Sequence, residues 1–244
     1  MGELVHEVLQ GEEAWFVGGA VRDELLGRPI VDVDVVCRDP AAAARAYAKR
    51  SGGFPFALSE QHSSWRVVLD GTRNVDFTPV HGSIESDLAR RDFTVNAIAI
   101  PVDGGEHVDP SGGREDLQLR LLRAVSESIF EDDPLRLLRA VRLEEELGFR
   151  LAPLTEELVR KQAELVAKAA GERVVAELGR MNAAGYRRLD ELGLLRPFGG
   201  TIDDRLDAAD SPRYRLVAVF KDQVRQLPVS AETRRYARAL LGAE

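Results

Sequence analysis

The pattern of apolar residues changes once along this 244-residue chain, near residue 110. Before that point, short runs rich in β-branched and aromatic residues alternate with helical stretches; beyond it, nearly every segment has helical spacing. The predicted strands are 14–17, 30–36, 65–69, 74–80 and 97–102. The predicted helices are 20–26, 40–50, 85–90, 114–118, 134–147, 154–168 and 171–182, with more after 185. The chain is therefore predicted to be α+β up to a boundary at 109–113, and all-helical beyond it.

The residues 70–73, Asp-Gly-Thr-Arg, predict a tight turn between two of these strands. Asp-Gly suits the left-handed backbone of a short hairpin turn, and alternating apolar runs flank it on both sides. We therefore expect the strands 65–69 and 74–80 to pair as a hairpin.

Charge and cysteine content narrow the functional classes. The formal net charge is −8, which argues against broad electrostatic binding of nucleic acid, because phosphate binding draws on clustered Lys and Arg. The single cysteine, Cys37, cannot form a disulfide within the chain, and no secretion signal opens the sequence, so we expect a cytoplasmic protein. No apolar run approaches the roughly 18 residues of a membrane span, and we expect no membrane partner.

Basic residues gather near the C-terminus. Residues 211–244 hold seven basic and three acidic side chains, a local net charge of +4. The basic residues are Arg213, Arg215, Lys221, Arg225, Arg234, Arg235 and Arg238. This segment is a candidate RNA contact, and an ordinary solvated helix face explains it equally well.

The run IVDVDVV at 30–36 places two carboxylates two residues apart. In a strand, Asp32 and Asp34 share one face, while Val31, Val33 and Val35 face a core on the other. Two carboxylates directed at one point repel unless a cation lies between them, and Mg²⁺ prefers carboxylate and phosphate oxygens. The run predicts a magnesium site; polar alternation in a half-buried strand is the simpler alternative.

Upstream, AWFVGGAVRDELLG at 14–27 predicts a strand, a glycine turn at Gly18 and Gly19, and a helix. Backbone N–H groups at a helix N-terminus attract phosphate oxygens, and Arg22 lies one turn into this helix. The alternative is a tight glycine turn with a surface arginine. A third carboxylate, Asp76, alternates with apolar residues and is expected either near Asp32 and Asp34 or on a solvent-facing strand.

Five sequence blocks then occur in a fixed order between about residues 14 and 200. They are GGAVRDELLG followed by DVDVV, DLARRDFTVNAIAI at 87–100, DPSGGREDL at 109–117, EDDPLRLLRAVRLEEELGF at 131–149 and GERVVAEL at 171–178. Together they resemble the class II tRNA nucleotidyltransferase and bacterial poly(A) polymerase family. The resemblance implies a nucleotidyltransferase head of polymerase β type with a mixed sheet at 1–110, a helical neck at 111–200 that selects the incoming nucleotide, and a short helical segment at 201–244.

The resemblance also implies roles for individual residues. Asp32 and Asp34 match the metal-binding pair. Asp76 joins them as an expected catalytic carboxylate on the strand pattern alone. Gly18, Gly19 and Arg22 match the triphosphate-binding turn, and Arg91 matches a nucleotide contact. Asp92 and Asn96 are similar to residues that hold the site together by hydrogen bonds. In the neck, Asp133, Arg136, Arg139 and Arg142 match positions that contact the base or face the phosphates.

Helical spacing supports the neck assignment. Arg136, Arg139 and Arg142 recur every three residues and form one ridge of a helix. Three arginines on one ridge repel one another unless a triphosphate, or an acidic neighbour such as Asp133 or Glu131, lies against them. The alternative is a helix crossed by surface salt bridges to the glutamates at 144–146.

The function that follows is a Mg²⁺-dependent enzyme that adds C, A or both, from CTP or ATP, to the 3′ end of an RNA, expected to be a tRNA, and releases pyrophosphate. Two other interpretations stay open. One is a nucleotidyltransferase whose acceptor is not RNA, and the other is a nucleotide-binding module without RNA activity.

Overall fold

The computed structural model describes residues 2–59, 63–69, 73–225 and 227–241. The chain divides into two compact units, the first ending at Leu119 and the second beginning at Arg120.

A mixed sheet forms the centre of the first unit. Its strands in the described residues are β1 (Ala14–Val17), β2 (Asp32–Cys37), β3 (Phe54–Ser59), β4 (Ser64–Val68), β5 (Asn74–Pro79) and β6 (Ala99–Pro101). They lie in the order β3-β4-β5-β2-β1-β6. Strands β2 and β5 are parallel, and the other neighbours are antiparallel. The mixed sheet that the sequence predicts is confirmed.

Helix α3 (Pro40–Ser51) covers one face of this sheet across β2, β5, β4 and β3. The helices of the unit are α1 (Glu3–Leu9), α2 (Gly18–Leu25), α3 (Pro40–Ser51), α4 (Ile84–Leu88) and α5 (Gly113–Leu119). Helix α3 packs on β2, β3, β4 and β5, and Tyr47 of α3 contacts the ring of Phe77 with centroids 5.8 Å apart. Val35, Val67 and Phe77 on this face are fully buried. Residues that alternate with them therefore project from the opposite face, which α3 does not cover.

The ends of α3 follow from its sequence. The Asp39 side chain accepts a hydrogen bond from the N–H of Ala42, Pro40 occupies the first turn, and Gly52 ends the helix in the left-handed conformation. Each of these residues suits its position, because an aspartate caps free N–H groups and proline lacks the N–H that a first turn leaves unpaired. The cap therefore fixes where the chain turns from β2 into α3.

Two contacts place α5 in the first unit. A Cβ atom on Gly113 would lie 2.1 Å from the carbonyl oxygen of Thr94, so only glycine allows the helix to approach the short 3₁₀ turn Thr94–Asn96 this closely. The Thr94 hydroxyl also donates to the buried carboxylate of Asp116 at 2.7 Å. The polypeptide therefore leaves the first unit after α5.

The first unit departs from the sequence predictions at the start of β2 and agrees with them at the pairing of β4 and β5. Val31 precedes β2 and is 55% exposed, so the prediction that it faces the core is wrong, because the strand begins one residue later. Strands β4 and β5 pair antiparallel as the hairpin prediction requires. The predicted turn itself, at 70–72, lies outside the described residues.

The second unit is helical. Its helices are α6 (Ile129–Asp132), α7 (Arg136–Leu147), α8 (Pro153–Gln162), α9 (Gly171–Gly179), α10 (Ala183–Glu191), α11 (Pro212–Phe220) and α12 (Ala231–Leu241). A short parallel pair, β7 (Leu121–Leu122) and β8 (Arg150–Leu151), precedes and follows α7. Leu137, Leu138 and Val141 of α7 are buried, and α7 packs on α9 and α10. Within the described residues, no helix has the length and apolar character needed to cross a membrane.

Candidate active site

Three carboxylates share the open face of the first unit's sheet. On the parallel strands β2 and β5, Asp34 lies directly opposite Asp76, and Asp32 lies directly opposite Asn74. The Asn74 amide donates to Asp32 at 3.1 Å. Asp32 is exposed, whereas Asp34 and Asp76 are half-buried. The structure thus brings the two predicted strand carboxylates and Asp76 together on adjacent strands.

Asp34 has an unusual pKa. Burial, followed by the neighbouring charges of Asp76 and Asp32, raises the pKa of its carboxyl to about 6, although Arg91 and Arg66 oppose that shift. The ionised carboxylate is therefore disfavoured in the chain on its own. A bound cation would favour the ionised form again, so this group has the electrostatics expected of a metal ligand.

Arg66 contacts this group of carboxylates, and the sequence analysis did not identify it. It lies on β4 directly opposite Asp76, and its Nε and Nη2 each donate to one carboxylate oxygen of Asp76 at 2.7 Å. Those bonds raise the pKa of the Arg66 guanidinium. The sequence contains a signal for this contact: Arg66 is the charged residue of the run WRVVL, and the predicted hairpin pairs that run with the strand of Asp76.

A glycine brings the backbone against Asp34. Gly18 begins α2 with a φ of +73°, and a Cβ atom there would lie 2.8 Å from Asp34 Oδ2 and 3.1 Å from Arg91 Nη1. Any side chain would therefore have to displace the carboxylate. Helix α2 has no side-chain cap at its N-terminus, which leaves the first N–H groups, at Gly18 and Gly19, suited to an anionic ligand.

Arg91 is held beside the same point by a residue of α4. Its Nη2 donates to Asp87 at 3.0 Å, and its Nε is buried without a hydrogen-bond partner in the described part of the chain. The Asp87–Arg91 pair has the i, i+4 spacing of a helical ion pair, and the segment DLARR carries that spacing. The arginine that the sequence predicts to contact nucleotide therefore adjoins Gly18 and Asp34.

Arg22 has a different environment. Its side chain is 7% exposed, its Nε and Nη2 donate to Asp23, and its Nη1 donates to Asn96 at 2.8 Å. Asn96 in turn donates to Asp92 at 2.9 Å, and the same oxygen of Asp92 accepts from the N–H of Phe93. These bonds join α2 to the RRDFT segment. A phosphate contact by Arg22 stays a prediction, and in this structure its guanidinium serves that network.

In the second unit, Asp133 is paired with an arginine that the sequence analysis did not identify. Arg173 of α9 donates to both oxygens of Asp133, at 3.3 and 2.8 Å. The N–H of Leu135 donates to the same carboxylate at 3.2 Å. Arg136 lies close by, and its Nη1 donates to the carbonyl oxygen of Ile129.

The other arginines of the α7 ridge meet acids. Arg142 is 5% exposed; its Nε donates to Glu177 at 2.5 Å, and its Nη1 donates to Glu146. Arg139 lies 3.8 Å from the other oxygen of Glu177. An acidic neighbour therefore accompanies Arg139 and Arg142: Glu177 of α9 lies against both. Glu146, which also accepts from Arg142, is one of the glutamates that the alternative interpretation named.

The basic C-terminal segment is partly neutralised. Arg213 pairs with Glu232, and Lys221 lies 3.1 Å from Asp203. Arg234, Arg235 and Arg238 of α12 are exposed, and the Arg225 side chain lies outside the described part of the structure. The exposed arginines of α12 are the part of this segment best placed to meet an anionic partner.

Known families match both units. The model of the poly A polymerase head domain matches residues 14–80 and 60–123. A second model, the probable RNA and SrmB-binding site of polymerase A, matches residues 148–199. The first match contains the strands that carry the three carboxylates, and the second contains helices α8, α9 and α10.

Individual relatives agree with the family models. A CC-adding tRNA nucleotidyltransferase of Geobacter sulfurreducens is 45% identical over 174 residues, which cover 70% of this chain and 40% of that relative. An A-adding tRNA nucleotidyltransferase of Deinococcus radiodurans is 46% identical over 192 residues, covering 75% of this chain and 44% of that relative. This chain thus spans less than half the length of these two relatives.

A solved structure described as a CCA-adding enzyme in complex with CTP superposes with a TM-score of 0.77 at 25% sequence identity. The match covers 98% of this chain and 66% of the other. The resemblance that the five sequence blocks suggested is confirmed, and the chain belongs to the family of poly(A) polymerases and tRNA nucleotidyltransferases.

Proposed function

We propose that this chain is a magnesium-dependent nucleotidyltransferase that transfers C, A or both from CTP or ATP to the 3′ end of a tRNA. The observation that carries this proposal is the group formed by Asp34, Asp76 and Asp32 beside Gly18. The names of the relatives support the nucleotide and the acceptor. The reducing cytoplasm, where the buried thiol of Cys37 would stay reduced, is its proposed location.

The donor set fits magnesium. Among the described residues, no three His, Cys, Asp or Glu side chains are close enough to enclose an ion by themselves. Mg²⁺ commonly takes only one or two protein carboxylates and completes its shell with water and substrate phosphates. Asp32 and Asp34 would hold the ion, since Arg66 already supplies a compensating positive charge to Asp76. Magnesium, when bound, supplies positive charge that offsets charge developing on the phosphate oxygens.

The chain's own residues would organise the triphosphate. The N–H groups of Gly18 and Gly19 and the guanidinium of Arg91 lie where anionic oxygens near Asp34 would be received. Asp87 holds Arg91 in place, and the Arg22–Asn96–Asp92 bonds fix α2 relative to that arginine. With the α-phosphate near Asp34, Asp76 is placed to orient the attacking 3′-hydroxyl.

The reaction then balances as an in-line displacement. The acceptor 3′-oxygen forms a bond to the α-phosphorus, the bond from the α-phosphorus to the bridging oxygen of the β-phosphate breaks, and pyrophosphate leaves. The hydroxyl proton passes to a carboxylate or to solvent. In the helical unit, Asp133 and Arg136 are proposed to contact the base edge, while Arg139 and Arg142 support them through Glu177.

The test is direct. The purified chain is incubated with Mg²⁺, each of the four nucleoside triphosphates separately, and tRNAs that end at the discriminator base, at CC or at CCA. Sequencing of the RNA 3′ ends identifies the nucleotide and the acceptor. Triphosphate binding without any extension would favour a binding module, and transfer to a non-RNA acceptor alone would favour the other interpretation. Either result contradicts the proposal.

A further inference from the structure

The open face of the sheet continues past the carboxylates to an aromatic edge. Directly opposed residues on neighbouring strands form two rows across β2, β5, β4 and β3. One row is Asp34, Asp76, Arg66 and Phe56, and the other is Asp32, Asn74, Val68 and Phe54. Because opposed residues share a face of the sheet, Phe54 and Phe56 lie on the same face as the carboxylates.

These aromatic residues are unusually accessible. Phe54 is 71% exposed and Phe56 is half-buried. They lie on β3, an edge strand of the sheet, and Leu58 on the same strand is 45% exposed. Large apolar side chains on an open sheet edge favour unwanted association. Their position beside a catalytic face therefore indicates a binding role.

The geometry of the proposed reaction places the triphosphate and the RNA acceptor on opposite sides of Asp34 along this face. The N-terminus of α2 follows β1, and Gly18 and Arg91 adjoin Asp34 from the β1 side. The triphosphate, and with it the departing pyrophosphate, would lie there. In an in-line displacement the attacking oxygen approaches from the opposite side. The acceptor would therefore lie over β5, β4 and β3.

Spacing across the sheet fits a short single strand. Neighbouring strands lie about 4.8 Å apart, so Phe56 is about 10 Å from Asp76, two strands away. A 3′-terminal ribose at Asp76 would bring the preceding nucleotides over β4 and β3. Aromatic side chains bind single-stranded RNA by stacking on its bases, whatever their sequence.

We propose that Phe54 and Phe56 form a stacking surface for the nucleotides that immediately precede the 3′ terminus of a single-stranded RNA acceptor. This inference rests on the proposed function and names the acceptor side of the same site. Arg66, held by Asp76, separates this surface from the carboxylates and presents a cation to the RNA between them.

Binding and cross-linking test this surface without catalysis. The probe is a fluorescent RNA oligonucleotide that ends in a 3′-deoxynucleotide, so that no addition occurs. Its affinity is measured by anisotropy for the wild type, Phe54→Leu and Phe54→Tyr. We expect about 5- to 50-fold weaker binding for Phe54→Leu and near wild-type binding for Phe54→Tyr, because tyrosine restores the ring. Leu154→Ala is the matched control, since Leu154 is also 71% exposed but lies on α8.

A second probe carries 4-thiouridine at the penultimate position and is cross-linked by light. We expect the cross-link to map to β3 or β4. Unchanged RNA affinity in Phe54→Leu, or a cross-link outside those strands, overturns the proposal. So does a concentration-dependent dimer in sedimentation that Phe54→Leu abolishes, since the surface would then bind a second copy of the chain.

The two proposals fail in different ways. If no acceptor is extended but the cross-link maps to Phe54 and ring loss weakens RNA binding, the proposed function fails and the stacking surface stands. If tRNA is extended while Phe54→Leu retains the wild-type KM for tRNA, the stacking surface fails and the proposed function stands. Triphosphate affinity should be equal in all these variants, which confirms that the nucleotide side is intact.

Discussion

Charged residues are arranged in opposite ways in the two units of this chain. On the sheet of the first unit, three carboxylates share one face, and the pKa of Asp34 rises to about 6. On α7 of the second unit, Arg142 is buried but contacts Glu177 and Glu146. The first group is short of positive charge, whereas the second is already neutralised within the chain.

This difference distinguishes charges that await a ligand from charges that stabilise the fold. A buried group whose charge is opposed by its neighbours destabilises the free protein, and such groups concentrate where a ligand supplies the missing charge. A buried pair that satisfies itself fixes the position of two helices and changes little when ligand binds. We therefore expect the sheet carboxylates to dominate activity and the α7–α9 pair to dominate stability.

The largest expected effect is the loss of transfer in Asp34→Asn. Removing the negative charge removes a proposed metal ligand at the reacting phosphate, so we expect at least a 10³-fold decrease in kcat, about 4 kcal/mol. Primer-extension rates at saturating Mg²⁺ measure it. Asp39→Asn is the control, because asparagine caps α3 as well as aspartate does. Near wild-type turnover in Asp34→Asn would remove this residue from the catalytic group.

The second effect concerns stability in the helical unit. Arg142→Met removes the hydrogen-bonded partner of the buried Glu177 and leaves only Arg139, 3.8 Å away. We expect this change to lower the free energy of unfolding by about 3 kcal/mol. The double variant Arg142→Met, Glu177→Met should recover most of that loss, because both charges are gone. Urea denaturation measures each. If Arg142→Met is as stable as the wild type but binds triphosphate poorly, Arg142 faces the ligand and the contrast between the units breaks down.

The third effect is a stability gain from Asp34→Asn that depends on pH. The folded pKa of Asp34, about 6, lies above its ordinary value of 3.8. The folded state therefore favours the protonated carboxyl. The wild type matches Asp34→Asn in stability below about pH 4, where this carboxyl is protonated, and becomes less stable than the variant as the pH rises to 6. Above pH 6 the metal-free variant should be more stable than the metal-free wild type by up to about 3 kcal/mol.

Thermal melts in EDTA between pH 4.5 and 8 measure this difference. The gap between the variant and the wild type should widen from pH 4.5 to about 6 and stay constant above that. Mg²⁺ with nucleotide should reduce it at pH 8. A gap that stays constant from pH 4.5 to 8 would mean that Asp34 keeps an ordinary pKa, and the first unit would then lack the charge deficit that distinguishes it from the second.

Features set by neighbouring residues in the sequence were predicted well, and features set by contacts between distant segments were not. The carboxylates of β2 were predictable because a strand's period of two places Asp32 and Asp34 together from local sequence alone. Strand β3 was missed because Gly53 and Pro55 weaken its strand signal. It forms because it pairs antiparallel with β4, where Val68 opposes Phe54.

Partners of the predicted charges were harder to predict. Arg66 and Asp76 meet through strand register, and Asp133 meets Arg173 across 40 positions of sequence. Many acids could have neutralised α7, and only the packing of α9 on α7 selects Glu177. Helical spacing gave the ridge of arginines correctly, but spacing within one helix carries no information about which neighbouring helix it meets.

The smallest expected effect tests whether the helical unit contributes a ligand-binding charge at all. Cytosine and adenine each present an amino donor beside a ring-nitrogen acceptor, whereas uracil and guanine present a carbonyl acceptor beside a ring N–H. An ionised aspartate only accepts and an arginine only donates, so Asp133 and Arg136 complement CTP and ATP and oppose UTP and GTP. Arg173 and the N–H of Leu135 already donate to Asp133, but a carboxylate has about four lone-pair sites and can accept an amino group without losing Arg173.

We therefore expect Asp133→Ala to reduce the preference for CTP and ATP over UTP and GTP by about 5- to 100-fold, corresponding to about 1–3 kcal/mol for one unsatisfied polar contact. Triphosphate affinity should fall less, because the residues proposed to hold the phosphates, Gly18, Gly19 and Arg91, are unchanged in this variant. Competition between pairs of triphosphates for one acceptor measures the preference. Arg173→Gln is the matched variant: it removes the partner but leaves the carboxylate, so it should retain the preference. If both variants lose it equally, the Asp133–Arg173 pair is a structural pair like that of Arg142, and base selection must come from other residues.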